Sequence, residues 1–179
     1  MDVIKIIDKY YQERPEACRI LINHSRSVAD KALEIARSHS EMNPDLIFIE
    51  EAAMLHDIGI LFCHAPVIDC HGTYNYICHG YIGAKLLQNE GFPRHALVCE
   101  RHTGTGITLQ EIEKKNLPLP RRDFVPVSLE EQIICFADKF FSKTKPDCEK
   151  SMDRIVESLR KHGEDAVLRF NNWCKLFLE

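Results

Sequence analysis

Apolar residues recur every three or four positions along most of this chain, which is the pattern of amphipathic helices. Alternating patterns typical of half-buried strands are almost absent, so the sequence predicts an all-α fold. Pro15 suits the first turn of a long second helix, and Pro93 suits the first turn of a later one. Helices are predicted over residues 2–12, 15–38, 44–59, 79–91, 93–102, 109–116, 130–143, 148–162 and 164–178.

Three local signals set the expected helix boundaries. Asn43 is predicted to cap the third helix, with Pro44 in its first turn, and Gly59 is predicted to stop it. Ser128 and Glu131 have the spacing of a capping box at the start of the helix that contains Asp138. Residues 60–77 show no sustained period, so we expect a long ordered loop, and a Pro-rich connector is expected over 117–127.

Polar residues interrupt the apolar faces of these helices at four places. His24 lies on the buried stripe of the second helix, His56 and Asp57 end the most apolar helix, and Asp138 points inward from its own helix. A buried carboxylate without a partner is costly, and a divalent metal would explain all four side chains at once. Imidazole and carboxylate ligands suit Fe, Mn, Zn, Co or Ni.

Two further histidines stand at predicted helix ends. His79 begins one helix and His102 ends another, so both can face a shared pocket. Together with a bridging Asp57 they would hold a second metal, and paired metals clamp phosphoryl groups and activate water. The remaining histidines are interpreted as structural: His39, His64, His71, His95 and His162.

Composition narrows the classes of function. The 179 residues carry a formal net charge of -4, which disfavours general nucleic-acid binding. The N-terminal residues are charged throughout, and no run of about 18 apolar residues exists, so we expect a cytoplasmic protein with no membrane partner. The 8 cysteines form no CxxC pair and are expected to be reduced packing residues. A structural zinc site in the cluster of Cys63, His64, Cys70, His71 and Cys78 is kept as an alternative.

The order His24, His56-Asp57, Asp138 resembles the HD superfamily of metal-dependent phosphohydrolases. AAMLHDIG matches its HDIG signature, and an ADK segment follows downstream. The resemblance covers roughly residues 20–145 and implies a phosphodiesterase-like helical bundle with ligands drawn from several helices. We therefore expect one HD domain over residues 1–179, with helices of 148–178 packing on the core. His79 and His102 resemble the additional ligands of the binuclear subgroup, whereas the GYP motif of the cyclic di-GMP enzymes is absent.

The resemblance implies a stand-alone hydrolase of a small phosphorylated substrate, which we expect to be a nucleotide or related phosphoester. One or two divalent transition metals per chain would activate water, with Asp57 anchoring them. Cations are expected around the phosphoryl oxygens, and the candidates are Lys139, Arg26 and Arg101. Lys139 is the candidate for a catalytic role beside Asp57. Homo-oligomerisation is left open.

Two other classes of function fit the same ligands. Some HD-fold proteins are non-catalytic regulatory modules, in which a bound metal is structural. A few use a di-iron pair as oxygenases. Metal content without phosphoester hydrolysis would favour the first, and oxygen consumption by iron-loaded protein would favour the second.

Overall fold

The computed structural model describes residues 1–178 and confirms the all-α prediction. Two strands of two residues each pair antiparallel and form the one small sheet in this range. The helices are α1 (Val3–Tyr11), α2 (Pro15–Ser38), α3 (Leu46–Leu55), α4 (His79–Asn89), α5 (Pro93–Arg101), α6 (Leu109–Lys115), α7 (Leu129–Asp138), α8 (Met152–Arg160) and α9 (Glu164–Phe177), and the strands are β1 (His64–Ala65) and β2 (Cys70–His71).

Two hydrophobic clusters hold these elements together. One is built from α2, α3, α7, α8 and α9 around Phe136 and Phe170, and the other from α1, α4, α5 and the start of α2 around Leu21 and Leu87. Residues at the C-terminal ends of α3, α5 and α7 meet the middle of α2. None of the helices in residues 1–178 combines the length and the apolar character needed to cross a bilayer.

The third helix begins and ends differently from the prediction. Its N-cap is Asp45, whose carboxylate accepts a hydrogen bond from the Phe48 amide, while Asn43 adopts a left-handed conformation. Gly59 does not stop the helix, because α3 ends at Leu55 and Gly59 lies inside a following 3-10 turn. The prediction for both residues was therefore wrong.

Gly59 instead permits a close helix contact. A β-carbon on Gly59 would lie 2.2 Å from the carbonyl oxygen of His79 and 2.5 Å from the amide nitrogen of Gly83, both in α4. A β-carbon on Gly80 would lie 2.4 Å from the Cys99 carbonyl oxygen in α5. These missing side chains let three backbone segments approach at the point where His79 and His102 must converge.

The helix that carries Asp138 is shorter than predicted. Ser128 caps it through the Glu131 amide, but the Glu131 carboxylate accepts from the Val127 amide rather than completing a capping box. Helix α7 ends at Asp138, so residues 139–143 form a turn instead of continuing the helix. The predicted loop over 60–77 is ordered by 3-10 turns and by the β1–β2 pair.

Candidate metal centre

Four of the predicted ligands meet at one point. Nε2 of His24, from the middle of α2, lies 3.0 Å from Oδ1 of Asp138 and 3.2 Å from Oδ2 of Asp57. Nε2 of His56 lies 3.0 Å from the same Asp57 oxygen and 3.6 Å from the same Asp138 oxygen. These four side chains offer atoms that lie within 4.8 Å of one another, close enough to surround one metal ion.

The two added histidines form a second group on the other oxygen of Asp57. Oδ1 of Asp57 lies 3.3 Å from Nε2 of His79 and 3.4 Å from Nε2 of His102. Asp57, His79 and His102 are all buried, and their ligand atoms again lie within 4.8 Å of one another. Asp57 is thus the one residue shared by both groups, with a separate oxygen facing each.

Backbone carbonyls orient three of the imidazole rings. Nδ1 lies 2.6 Å from the carbonyl oxygen three residues earlier in His56 and in His79, and 2.8 Å from it in His102. Nδ1 must carry the proton in each contact, since a carbonyl oxygen can only accept. In the neutral form of each ring this leaves the Nε2 lone pair toward the centre, which is the usual arrangement of metal-binding histidines. Burial lowers the pKa of His56, but Asp57 and Asp138 outweigh it and raise that pKa to about 9, so a metal bound at this ring would displace a proton.

Several buried atoms of the centre lack hydrogen-bond partners. Oδ1 of Asp57, Nε2 of His56 and Nδ1 of His24 are buried without a partner of proper hydrogen-bond geometry, whereas Oδ2 of Asp57 lies 2.6 Å from the ammonium nitrogen of Lys143. Such groups are rare in folded proteins, and each costs about 1–3 kcal/mol or more. Divalent cations would satisfy the Asp57 oxygens and His56 Nε2, so this donor set fits one or two transition metals.

Burial favours the neutral form of His79 and His102, whereas neighbouring positive charges keep Asp57 ionised. Burial lowers the pKa of His79 to about 3 and also lowers that of His102, which favours the neutral, metal-binding form. Burial would raise the pKa of Asp57, but Lys143 and His56 outweigh it and hold that pKa well below its usual range. Asp57 is therefore a carboxylate, the form that binds a metal.

Three lysines line a cavity beside the centre. The cavity has a volume of about 200 Å³. The ligands His24 and Asp138 form part of its wall, and Lys139, Lys143 and Lys150 also line it. Nζ of Lys139 lies 2.8 Å from Oδ2 of Asp138, and Nζ of Lys143 lies 2.6 Å from Oδ2 of Asp57.

Lys150 differs from the other two lysines. Its ammonium group donates to the carbonyl oxygens of Lys139 and Phe141 at 3.3 and 2.5 Å. No carboxylate of residues 1–178 lies within ion-pair distance of it. Its charge is therefore available to an anion in the cavity.

Among the predicted cations, only Lys139 lies at the centre. Arg26 lies on an exposed face of α2, where its guanidinium group pairs with Glu50 at 2.9 Å. Arg101 pairs with Glu131, also at 2.9 Å, and does not line the lysine cavity. The structure therefore does not bring Arg26 or Arg101 to the metal centre, despite their proximity to its ligands in sequence.

The cysteines of the 60–78 segment do not converge on a metal. The thiols of Cys63, Cys70 and Cys78 point to backbone carbonyl oxygens of Gly59, Ile68 and Pro118. Burial raises the pKa of Cys63 to about 12 and that of Cys70 to about 11, which disfavours the thiolate form. No metal-ligand group in the described chain includes a cysteine.

Comparison with known proteins assigns this chain to a family. The family model described as HD domain matches residues 21–142, which include all six candidate ligands. The fold is similar to the crystal structure of the HD domain of the L. monocytogenes phosphodiesterase PgpH, with a TM-score of 0.54, 19% sequence identity, and coverage of 91% of this chain and 84% of that one. At this level of identity, the similarity is evidence for the fold alone.

The chain is similar in sequence to proteins of three other organisms. The chain is 34% identical to a tRNA (cytidine(56)-2'-O)-methyltransferase of Thermoplasma volcanium over 83% of this chain, and 32% identical to the protein of that name from Picrophilus torridus over 84%. It spans only 39% of the length of each of them. An uncharacterized protein of Methanocaldococcus jannaschii is 31% identical over 79% of this chain and 76% of its own length.

Proposed function

The chain belongs to the HD domain family, and from this we propose that it is a metal-dependent phosphohydrolase with a binuclear centre. The observation that carries the proposal is the position of Asp57. Its two oxygens face two separate groups of imidazole ligands, and the lysine cavity opens beside it. A bridging carboxylate next to a cationic cavity suits a site that holds a phosphoryl group against two metals.

The reaction we propose is hydrolysis of a P–O bond. The oxygen of a water molecule forms a new bond to phosphorus, and the bond from phosphorus to the leaving oxygen breaks. The proton that the departing oxygen takes up balances the one that the water releases. A phosphoester therefore gives an alcohol and a phosphate, and a phosphoanhydride gives two phosphates. A divalent metal lowers the pKa of the water that it binds and withdraws charge from phosphoryl oxygens.

The protein's own residues bind and orient the substrate in this proposal. Lys139, Lys143 and Lys150 donate hydrogen bonds to phosphoryl oxygens, where negative charge is concentrated. The carbonyl contacts of His56, His79 and His102 fix the rings so that no reorganisation is needed at each turnover. The substrate we propose is a small phosphoester or phosphoanhydride, with a nucleotide as the leading candidate.

The family domain and the last two helices form one structural unit in this proposal. Helices α8 and α9 supply Ile155, Phe170 and Trp173 to the same hydrophobic cluster as α7. The segment after the family match also supplies Lys150 and His162 to the lysine cavity. We therefore propose a single domain in which residues beyond 142 complete the substrate site.

The name of the two methyltransferase relatives does not extend to this chain. Because the match covers 39% of each of those proteins, methyl transfer can reside in the part that has no counterpart here. The ligand groups of the present chain are the basis for phosphoester hydrolysis instead.

Hydrolysis of a phosphoester panel tests the proposal. The protein is loaded in turn with Mn, Fe, Co, Ni or Zn and assayed with nucleotides and p-nitrophenyl phosphate esters. We expect turnover that a chelator abolishes and that added metal restores, and we expect the His95→Asn control to keep it. Metal-loaded protein that hydrolyses no ester would favour a non-catalytic module, and oxygen consumption by the iron form would favour an oxygenase.

A further inference from the structure

A second cavity adjoins the lysine cavity. It has a volume of about 240 Å³ and shares Gly104 and His162 with its neighbour. Most of its wall is apolar and is formed by Ile77, Ile107, Leu117 and Pro118, and the charged side chains of Glu111 and Lys115 also line it. We call this cavity the apolar slot.

Gly104, two residues after the ligand His102, lines both cavities. It has a φ of 63°, and a β-carbon at this position would meet no atom within 4 Å. The backbone here takes a conformation that glycine adopts at no cost, and the absent side chain leaves open space at a residue that both cavities share. A molecule with its phosphate among the lysines can thus extend past Gly104.

The size and walls of the pair of cavities suit a bound organic molecule. Together they fall within the roughly 300–1,000 Å³ that is usual for small-molecule sites. One compartment is cationic and the other apolar, so the matching ligand has an anionic end and a compact apolar end.

Polar groups at the slot indicate what kind of apolar group would bind. Asn75 uses its side-chain oxygen to accept from the Ile77 amide, which leaves its NH2 group as a donor, and Thr103 also lines the slot. The imidazole of His162 adds a flat ring, and burial lowers its pKa so that the neutral ring is favoured. An alkyl chain would leave these donors unused, whereas a heterocycle offers both a flat face and acceptor atoms.

We propose that the apolar slot binds the heterocyclic base of a nucleoside phosphate whose phosphoryl group lies among Lys139, Lys143 and Lys150. This proposal rests on the proposed function for the position of the phosphate. In this proposal, four residues of the slot determine which organic group binds: Ile77, Ile107, Leu117 and His162. His162 lies beyond the residues that the family model matches.

Equilibrium binding tests this assignment without turnover. The probes are adenosine and uridine 5′-methylenephosphonates, in which a carbon replaces the bridging oxygen and prevents hydrolysis, and methylphosphonate, which lacks the nucleoside. The test variant is Leu117→Trp, which fills the slot, and the matched control is Val127→Trp at an exposed position outside it. Metal content and unfolding temperature are measured for each protein, and Ile77→Trp replaces Leu117→Trp if the latter does not fold.

We expect the wild-type protein to bind at least one nucleoside phosphonate about tenfold or more tightly than methylphosphonate, a difference of about 1.4 kcal/mol. Leu117→Trp should remove this preference and leave methylphosphonate affinity unchanged, while Val127→Trp should retain the preference. Equal affinity of the wild type for all probes, or an unchanged preference in the slot variant, would overturn the proposal. If the preference is present but no phosphoester is hydrolysed, the proposed function fails and the slot assignment stands.

Discussion

The Nε2 atoms of His79 and His102 lie 3.1 Å apart, and Nδ1 of each ring faces a backbone carbonyl oxygen. With both Nδ1 atoms protonated, two lone pairs point at each other and at Oδ1 of Asp57. Three electron-rich atoms in a buried space repel one another unless a cation lies among them. This relationship is the strongest indication of a second metal.

Replacement of His79 by Ala tests that second position. Because the group of Asp57, His79 and His102 would keep only two protein ligands, we expect the metal content to fall from two ions per chain to one. Turnover should fall by about 100-fold or more, since the pair of metals clamps the phosphoryl group. Elemental analysis and phosphoester assays measure both effects, with His71→Ala as an exposed control. Two retained ions in the His79 variant would show that this residue is not a ligand.

Gly59→Ala should disturb the position of the second metal without replacing a ligand. The new β-carbon would overlap the backbone of α4 at His79 and Gly83, so α4 must move away. We expect a loss of stability of more than 2 kcal/mol and a lower metal content, measured by chemical denaturation and elemental analysis.

Gly91→Ala provides the comparison for that variant. Gly91 has a φ of 85° but open space around it, so alanine there should cost about 1–2 kcal/mol from the backbone alone. Its metal content should be unchanged. Equal effects of the two substitutions on metal content would contradict the close-contact role of Gly59.

Lys150→Met removes the cavity cation that has no carboxylate partner among residues 1–178. A hydrogen bond to a charged group contributes about 1.5–3 kcal/mol, so the KM for a phosphoester should rise by about tenfold or more. The metal content should not change, because Lys150 contacts the backbone carbonyl oxygens of Lys139 and Phe141 and not the ligand side chains. The unfolding temperature is measured as well, to separate loss of the charge from loss of the turn that these bonds support. Steady-state kinetics measure the effect, and Lys5→Met on the exposed face of α1 is the control. An unchanged KM would remove Lys150 from the phosphate site.

His95 should make the metal-free protein less stable as the pH is lowered below about 6.5. His95 packs against Phe48 and Phe92 at ring distances of 4.8 and 5.8 Å, and burial lowers its pKa. The folded state therefore takes up this proton less readily than the unfolded state, whose histidine pKa is about 6.5. Above that pH neither state is protonated, and below it the unfolded state gains the proton first, so unfolding is favoured.

His95→Asn should make this pH dependence shallower. Urea denaturation between about pH 5 and 7.5, in the presence of a chelator, measures the slope. The exposed His64→Asn is the control. The same slope in the His95 variant and the wild type would show that this imidazole does not contribute.

Much of the metal centre could be predicted from the sequence because helix periodicity fixes which way a side chain points. His24 follows Leu21 by three positions, and Asp138 follows Ile134 by four, so both share a face with a buried residue. Arg26 could have been set aside by the same rule. It follows His24 by two positions, and residues two apart lie on opposite sides of a helix.

Lys143 and Lys150 could not be found in this way. Their positions depend on the end of α7 at Asp138, after which the chain turns back over the centre. The apolar pattern continues through Phe140 and Phe141, so periodicity predicts a longer helix that would carry Lys143 away from Asp57. The turn is fixed by tertiary contacts, among them the bonds from Lys150 to the carbonyl oxygens of Lys139 and Phe141.

The most direct test of a binuclear hydrolytic centre is a count of metal ions per chain alongside phosphoester turnover, in the wild type and in Asp57→Asn. An amide in place of the shared carboxylate cannot bridge two cations as an anion, so both groups lose their common ligand. We predict two divalent ions per chain and measurable turnover in the wild type. In Asp57→Asn we predict that the bound metal and the turnover are both lost. Full turnover by Asp57→Asn, or by wild-type protein stripped of metal, would contradict a reaction that depends on this centre.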